Sequence, residues 1–379
     1  MHTRLHSDWH SPGAQAQFYD RVLCDPVVRR YPPPADYTRR LVKALVGACD
    51  TGHVALHEPL LAMLFDNKTS LSSSGFTEMG PAGDTLGSAG SAGVGYRTYT
   101  FGSSEVGAEV GTVVALRCST ESFGGGAETS TVVWPAGRHL ANYFCSRPSL
   151  LKGRRVVELG CGCGTVGLAV AKACSPSSVL LTDNQPAAIL NAQHNIDVNE
   201  LTSDGLPAVV VESCDWAEVA VDMTTTSSSS SLRLVDTIIA ADVTYDPDVC
   251  KILAGAIRGL LTRPENELRE SDGCDGCAAA AAAPPPPLRL CWVAAQERNP
   301  VTWAAFCEEF KRVKDDHDRS AGGSADALET LWLEEVHVES EPERPDGLIF
   351  GGTKTEAAEG KLRIVRIGTW ASLHPTVVD

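Results

Sequence analysis

No unbroken apolar run in this chain approaches the roughly 20 residues that a membrane-spanning helix needs. The N-terminal stretch "MHTRLHSDWHSPGAQAQ" carries no apolar core of the kind a secretory signal requires. Both absences lead us to expect a cytoplasmic chain with no membrane partner. Basic residues are in deficit, 32 Lys and Arg against 48 Asp and Glu, for a formal net charge of −16. Broad contact with a phosphate backbone rests on clustered Lys and Arg, so nucleic acid is not an expected partner, and an acidic chain is better suited to a basic protein surface. The thirteen cysteines are odd in number and come without a secretory signal, so reduced thiols are expected. "CDGC" at Cys274 and Cys277 has ligand-like spacing but no second matching pair nearby, and a structural zinc site takes four ligands. No metal is therefore expected. No internal repeat occurs either, which removes the solenoid architectures.

What the chain does have is enough apolar mass for a sizeable core, 43% hydrophobic residues against 21% charged. Residues 1–66 read as an N-terminal helical region, with "YTRRLVKALVGAC" showing helical spacing after the breaker "YPPP". Residues 67–95 are Ser- and Gly-rich and read as a linker. From Tyr96 to Cys118 the pattern fits paired strands, and "TSTVVWPAGRHLANYF" leads into a helix expected after Pro135. Then strands and helices alternate. "RRVVEL", "SVLLTD", "AVVVESCDW", "VDTIIAADVTY" and "LRLCWVAAQE" read as strands with helical segments between most of them, and "KLRIVRIGTW" closes the series. This order implies an α/β domain over 96–379, Rossmann-like, with a mainly parallel sheet buried on both faces by helices. Low-complexity insertions at 222–233 and 263–288 interrupt it.

The ends of these strands carry the chemistry. "VVELGCGCGTVG" can be read from Gly162 as GxGxxG, a dinucleotide fingerprint, but that pattern alone is weak. Including Glu158 changes the reading to an acid followed by Gly160, Gly162 and Gly164. A carboxylate there would repel a pyrophosphate and favour a cationic ligand. S-adenosylmethionine, with a sulfonium and an ammonium and no phosphate, fits this better than a nicotinamide cofactor. Asp183 ends the next strand, where an acid can accept hydrogen bonds from ribose hydroxyls. Asp215 and Trp216 stand ready for an adenine edge and face, and Ala241, Asp242 and Tyr245 reach the same carboxyl edge of the sheet.

In this order, "VVELGCGCG", "LTDNQ", "CDW" and "AADVTY" resemble the seven-β-strand methyltransferases, and "DVTY" resembles the Asp-x-x-Tyr signature of their family-16 protein methyltransferases. "VLCDPVVRRYPPPADYTRRLVKALV", "HEPLLAMLFD", "YRTYTF" and "QERNPVTWAAF" narrow the resemblance to the eukaryotic elongation factor 2 lysine methyltransferase family. The resemblance implies a protein-lysine N-methyltransferase that uses S-adenosylmethionine and acts on elongation factor 2 as a protein substrate; a monomer is expected. It also implies that Trp134 touches the cofactor and that Gly160, Cys161 and Gly162 cradle its methionine part. Trp216 and Ala241 would line the adenosine, while Asp242 and Tyr245 would handle the substrate lysine. The cysteines in the turn depart from the small or hydroxylated residues frequent among relatives. A small-molecule methyltransferase and a non-catalytic cofactor-binding protein remain as alternatives at this point.

Overall fold

A computed structural model describes residues 11–24, 26–31, 35–65, 94–102, 111–119, 129–202, 207–222, 231–262, 289–320, 331–336 and 361–369. These residues divide into two compact units. The first holds α1 (Pro12–Phe18), a π-helical turn at Tyr19–Leu23, α2 (Pro26–Arg30), α3 (Ala35–Thr51) and α4 (Glu58–Phe65). It also takes most of a two-stranded sheet formed by β1 (Val94–Phe101) and β2 (Thr112–Ser119). The Ser11 hydroxyl accepts from Ala14 N at 3.3 Å and Pro12 opens the helix, an N-terminus built from residues suited to it. Phe18, Leu45 and Leu60 form the small core of this unit. Gln15 is buried with them because both ends of its amide are satisfied, donating to Ala55 O at 2.9 Å and accepting from His57 N at 2.8 Å.

The second unit starts with α5 (Pro135–Cys145) and continues as β3 (Arg155–Leu159), α6 (Thr165–Ala173), β4 (Ser178–Asp183), α7 (Pro186–Val198), β5 (Ala208–Ser213) and α8 (Trp216–Asp222). There follow β6 (Thr237–Ala241), α9 (Pro247–Thr262), β7 (Leu290–Glu297), α10 (Pro300–Ser320), β8 (Leu331–Val336) and β9 (Lys361–Thr369). The sheet runs in the order β5-β4-β3-β6-β7-β9-β8, parallel from β5 to β7, with β9 antiparallel to both its neighbours. The seven-stranded, mainly parallel architecture expected from the alternation is what the chain adopts.

Near-continuous apolar strands explain burial on both sides. Val156, Val157 and Leu159 of β3 and Val179 and Leu181 of β4 have no exposed surface. On one face Trp292 of β7 packs its ring against Tyr143 and Phe144 of α5. On the other, Cys291, Val293 and Ala295 join Ile257 of α9 and Phe306 of α10 in the main core. The chain enters the sheet at β3, builds outward to β5 and returns to place β6 on the other side of β3. That reversal makes the carboxyl ends of β3 and β6 the natural ligand crevice of an open α/β sheet.

Three details differ from the sequence reading. The strand expected over "VDTIIAADVTY" stops at Ala241, because Asp242 takes a left-handed conformation (φ 57°). Helix α8 and strand β8 had no counterpart among the expected elements. The expected linker at 67–95 lies outside the described residues apart from its last two positions in β1, as do residues 223–230 of the first insertion and the whole of the second. Among the described residues, no helix is long and apolar enough to cross a membrane, and no group of three or more His, Cys, Asp or Glu is placed to hold a metal ion.

Candidate active site

After Leu159 the backbone turns through Gly160 (φ 71°), Gly162 (φ 50°) and Gly164 (φ 75°), left-handed positions where a side chain costs energy. The turn is pinned to the next strand by Cys161 N, which donates to Thr182 O at 2.8 Å, and by Gly162 N, which donates to Asp183 Oδ2 at 3.0 Å. The other oxygen of Asp183 accepts from Gln185 N at 3.0 Å. Trp216 closes the turn from the side: a Cβ on Gly160 would lie 3.1 Å from the Trp216 ring and 2.8 Å from Val243. Asp215 stands exposed beside it and accepts from Ala217 N at 2.8 Å, opening α8.

Glu158 does not face the crevice. Its side chain lies under the first turn of α6, where Oε2 accepts from Gly167 N at 2.8 Å and Val166 N also bonds to the carboxyl. Desolvation pushes its pKa from the usual 4.5 up to about 8, against the pull of those two amides. The acid read as a direct partner for a ligand amine is thus spent on the helix that the glycine turn leads into. The folded state holds this proton more tightly than the unfolded chain, so Glu158 supports folding most at acid pH. That support is lost between pH 4.5 and about 8 as the unfolded carboxyl ionises while the folded one stays protonated. Denaturation at pH 5 and pH 8.5 should show a loss of about 4 kcal/mol in the wild type that Glu158→Gln lacks. Equal pH slopes in the two proteins would refute the assignment.

Asp242 is also inward-facing. Its side chain is 2% exposed, Oδ2 accepts from Ala136 N at 2.8 Å, and Oδ1 accepts from Gln296 N at 3.2 Å. Burial raises its pKa, opposed by those two amides and by the positive charges of Arg298 and Arg138. Its carboxylate therefore braces the start of α5 to the end of β7. Trp134 occupies the N-cap of α5, one residue before Pro135. The Arg298 guanidinium sits 4.8 Å over the Trp134 ring, 3.9 Å from Asp242 Oδ1, and donates to Gln296 Oε1 at 3.0 Å. Asp242, Gln296, Glu297 and Arg298, together with Thr244, Tyr245, Asn299, Thr302 and Trp303, line a cavity of about 70 Å³. Tyr245 is 68% exposed at this cavity, and Ala241 lies at the β6 end just before it. The fold thus gathers Trp134, Asp242 and Tyr245 at one place, and Gly160, Cys161, Gly162, Asp183 and Trp216 at the adjoining turn. Gln296 and Arg298 were not singled out from the sequence, although "QERNP" directly follows a strand, where site residues are to be expected.

Residues 119–268 match the lysine methyltransferase family. Over 301 residues it is 28% identical to the protein-lysine N-methyltransferase EEF2KMT of Homo sapiens, covering 77% of this chain and 75% of that protein. A calmodulin-lysine N-methyltransferase of Arabidopsis thaliana is 33% identical over 129 residues, 34% of this chain and 40% of the relative. Among solved structures, a putative S-adenosylmethionine-dependent methyltransferase from Streptococcus mutans aligns with a TM-score of 0.36 and 14% identity over 67% of this chain and 53% of that chain. This lysine methyltransferase is an S-adenosylmethionine-dependent enzyme of the protein-lysine class. Asp183 fits such a cofactor. Each of its oxygens receives one backbone N–H, which leaves acceptor capacity on a partly exposed carboxylate at the sheet edge for ribose hydroxyls.

Proposed function

We propose that this enzyme methylates a lysine of translation elongation factor 2 in the cytoplasm, acting as a monomer. The observation that carries the reading is the small cavity at the end of β6, with buried Asp242 on one side, exposed Tyr245 on the other and Trp134 behind Arg298. A relative aligned over most of both chains bears the name EEF2KMT, which supports the choice of substrate. An opening bordered by a tyrosine 68% exposed suits a side chain presented by a large protein better than a small metabolite enclosed in a pocket.

When bound, S-adenosylmethionine supplies an electrophilic methyl group on a cationic sulfonium. Gly160, Cys161 and Gly162 would hold its methionine part, Asp183 and Asp215 its hydroxyl and amino groups, and Trp216, Ala241 and Trp134 its flat and apolar surfaces. The remaining task falls on the cavity. A lysine side chain, with a pKa of about 10.4, arrives protonated and must lose that proton before it can attack. Tyr245 borders the entry and confines the side chain to one line of approach, the condition under which positioning lowers the barrier. Asp242 is a positioning residue: by holding Ala136 N and Gln296 N it keeps Trp134 and the β7 end in register. To the unit of α1–α4 with β1 and β2 we assign recognition of the protein substrate, since the reaction chemistry uses none of its residues.

The test is transfer of labelled methyl from S-adenosylmethionine to purified elongation factor 2, followed by mapping of the modified residue. Label on a single lysine is expected. Binding of S-adenosylhomocysteine without any label on the factor would reject that substrate.

A further inference from the structure

Among the described residues, the two most exposed of the large apolar side chains are Val301, at 71%, and Tyr245, at 68%. Both stand at the cavity where β6 ends. Tyr245 lines it from the connection between β6 and α9, and Val301, second in α10, lies in the chain between Asn299 and Thr302, which line it too. A single valine in water is ordinary, but two large apolar groups bordering one opening form a patch that a partner would cover.

The fold itself does not call for a valine at this place. Helix α10 turns Thr302, Trp303, Phe306 and Phe310 inward, while Val301, Ala304 and Glu308 face outward. A β-branched residue on the outward side of a first turn adds no core packing and has a lower helix propensity than the straight-chain residues that suit such a position. The place is nevertheless fixed. Asn299 precedes Pro300 and caps the helix, its Oδ1 accepting from Val301 N at 2.9 Å and its carbonyl from Trp303 N at 3.2 Å. Tyr245 is anchored in the same manner: Asp246, next in the chain and just before Pro247, accepts on Oδ1 from Asp248 N at 2.8 Å and Val249 N at 3.1 Å at the start of α9. Two capped helix starts thus present the two apolar groups at set positions.

We propose that Val301 and Tyr245 form an apolar rim that determines specificity by receiving a large apolar residue next to the target lysine of the protein substrate. The inference rests on the reading of this cavity as the lysine entry. A lysine within a protein arrives on a main chain that crosses the opening, so its neighbours in sequence land on the rim. An apolar neighbour is drawn from water onto Val301 and Tyr245, whereas a small amine held inside the cavity would leave both uncovered.

The contact is made with substrate and transition state alike, so its loss belongs in KM and not in kcat. With elongation factor 2 as substrate, Val301→Ser should raise KM about tenfold, with kcat at saturation, S-adenosylhomocysteine affinity and melting temperature close to wild type. Val301→Leu, apolar and of similar size, should keep the wild-type KM. Once the methylated lysine is mapped, exchanging its apolar neighbour for serine should raise KM in the wild type and add little in Val301→Ser, since partners in one contact are not additive. An unchanged KM in Val301→Ser, independent effects of the two exchanges, or a mapped lysine with no apolar neighbour would each overturn the proposal. So would a wild-type dimer that Val301→Ser dissociates, because a second copy would then cover the rim. Wild-type enzyme that binds S-adenosylhomocysteine yet methylates no lysine of the factor would instead remove the proposed function, and this inference with it.

Discussion

Replacing Asp242 by Ala should reduce methyl transfer by about a hundredfold or more while leaving a folded protein, the order of loss expected when a group that positions a reacting centre is removed. The substitution strips the acceptor from two buried backbone amides, Ala136 N and Gln296 N. Each buried donor left unpaired costs about 1–3 kcal/mol. Holding a β-carbon at φ 57° without a polar side chain to bond locally adds about 1 kcal/mol. Freed from its brace, the first turn of α5 no longer fixes Trp134, and Arg298 loses the acid 3.9 Å away. Asp242→Asn separates these contributions. Asparagine tolerates the left-handed backbone and keeps one acceptor, but turns an NH₂ group toward the second amide, so an intermediate loss is expected. Melting temperature and S-adenosylhomocysteine affinity, measured beside the rate, distinguish loss of fold from loss of positioning. Full kcat in the Asn variant would contradict the bracing role.

Gly167→Ala is expected to be the most damaging single methyl group in the sheet domain. A Cβ there would lie 2.2 Å from Leu181 Cδ2, 2.8 Å from Glu158 Oε2 and 3.2 Å from Val179 Cγ1. None of these can yield freely, since Leu181 and Val179 are fully buried and Glu158 is bonded to Gly167 itself. Helix α6 must lift from β4, at a cost of about 3 kcal/mol, equivalent to a fall in melting temperature of roughly 6–12 °C. Because α6 carries the glycine turn at its head, S-adenosylhomocysteine affinity should fall at least tenfold as well. Gly153→Ala is the control. Gly153, left-handed (φ 70°) where Gly167 is helical, has nothing within 4 Å of the added carbon, so it should lose only about 1 kcal/mol from backbone strain and keep its affinity. If the two variants melt together, close packing at Gly167 is not what the glycine serves.

The sheet was legible in the sequence because its strands are continuous apolar runs ending in glycine or acid, and Pro135 and Pro247 mark helix starts. The direction of the two decisive acids was not. A strand buried on both faces shows no alternation that would tell which side a residue such as Glu158 takes. Glu158 therefore reads the same whether it meets a ligand or, as here, the amides of α6. Asp242 could be recognised as a site residue, yet its inward turn depends on a left-handed φ that sequence does not announce. Arg298 is one cation in the charged run "QERN", and only the return of β7 beside β6 brings it to Trp134. Strand β8 joins the sheet only through β9, some distance further along the chain, so local pattern offered little to mark it.

The two sulfurs of the glycine turn bear on chemical safety. A thiolate is a better nucleophile toward a methyl sulfonium than an amine is, so cysteines in a loop proposed to hold such a reagent would invite self-alkylation. Cys161 is 6% exposed and Cys163 2%, and burial together with the neighbouring acids keeps the Cys161 thiol protonated well beyond its ordinary range. Asn191 and Asn195 of α7 tie down Cys163 through its sulfur and its carbonyl. The turn thereby keeps the small size that cysteine offers while its reactivity stays silent. Its two thiols become open to alkylating agents only when the loop itself comes apart.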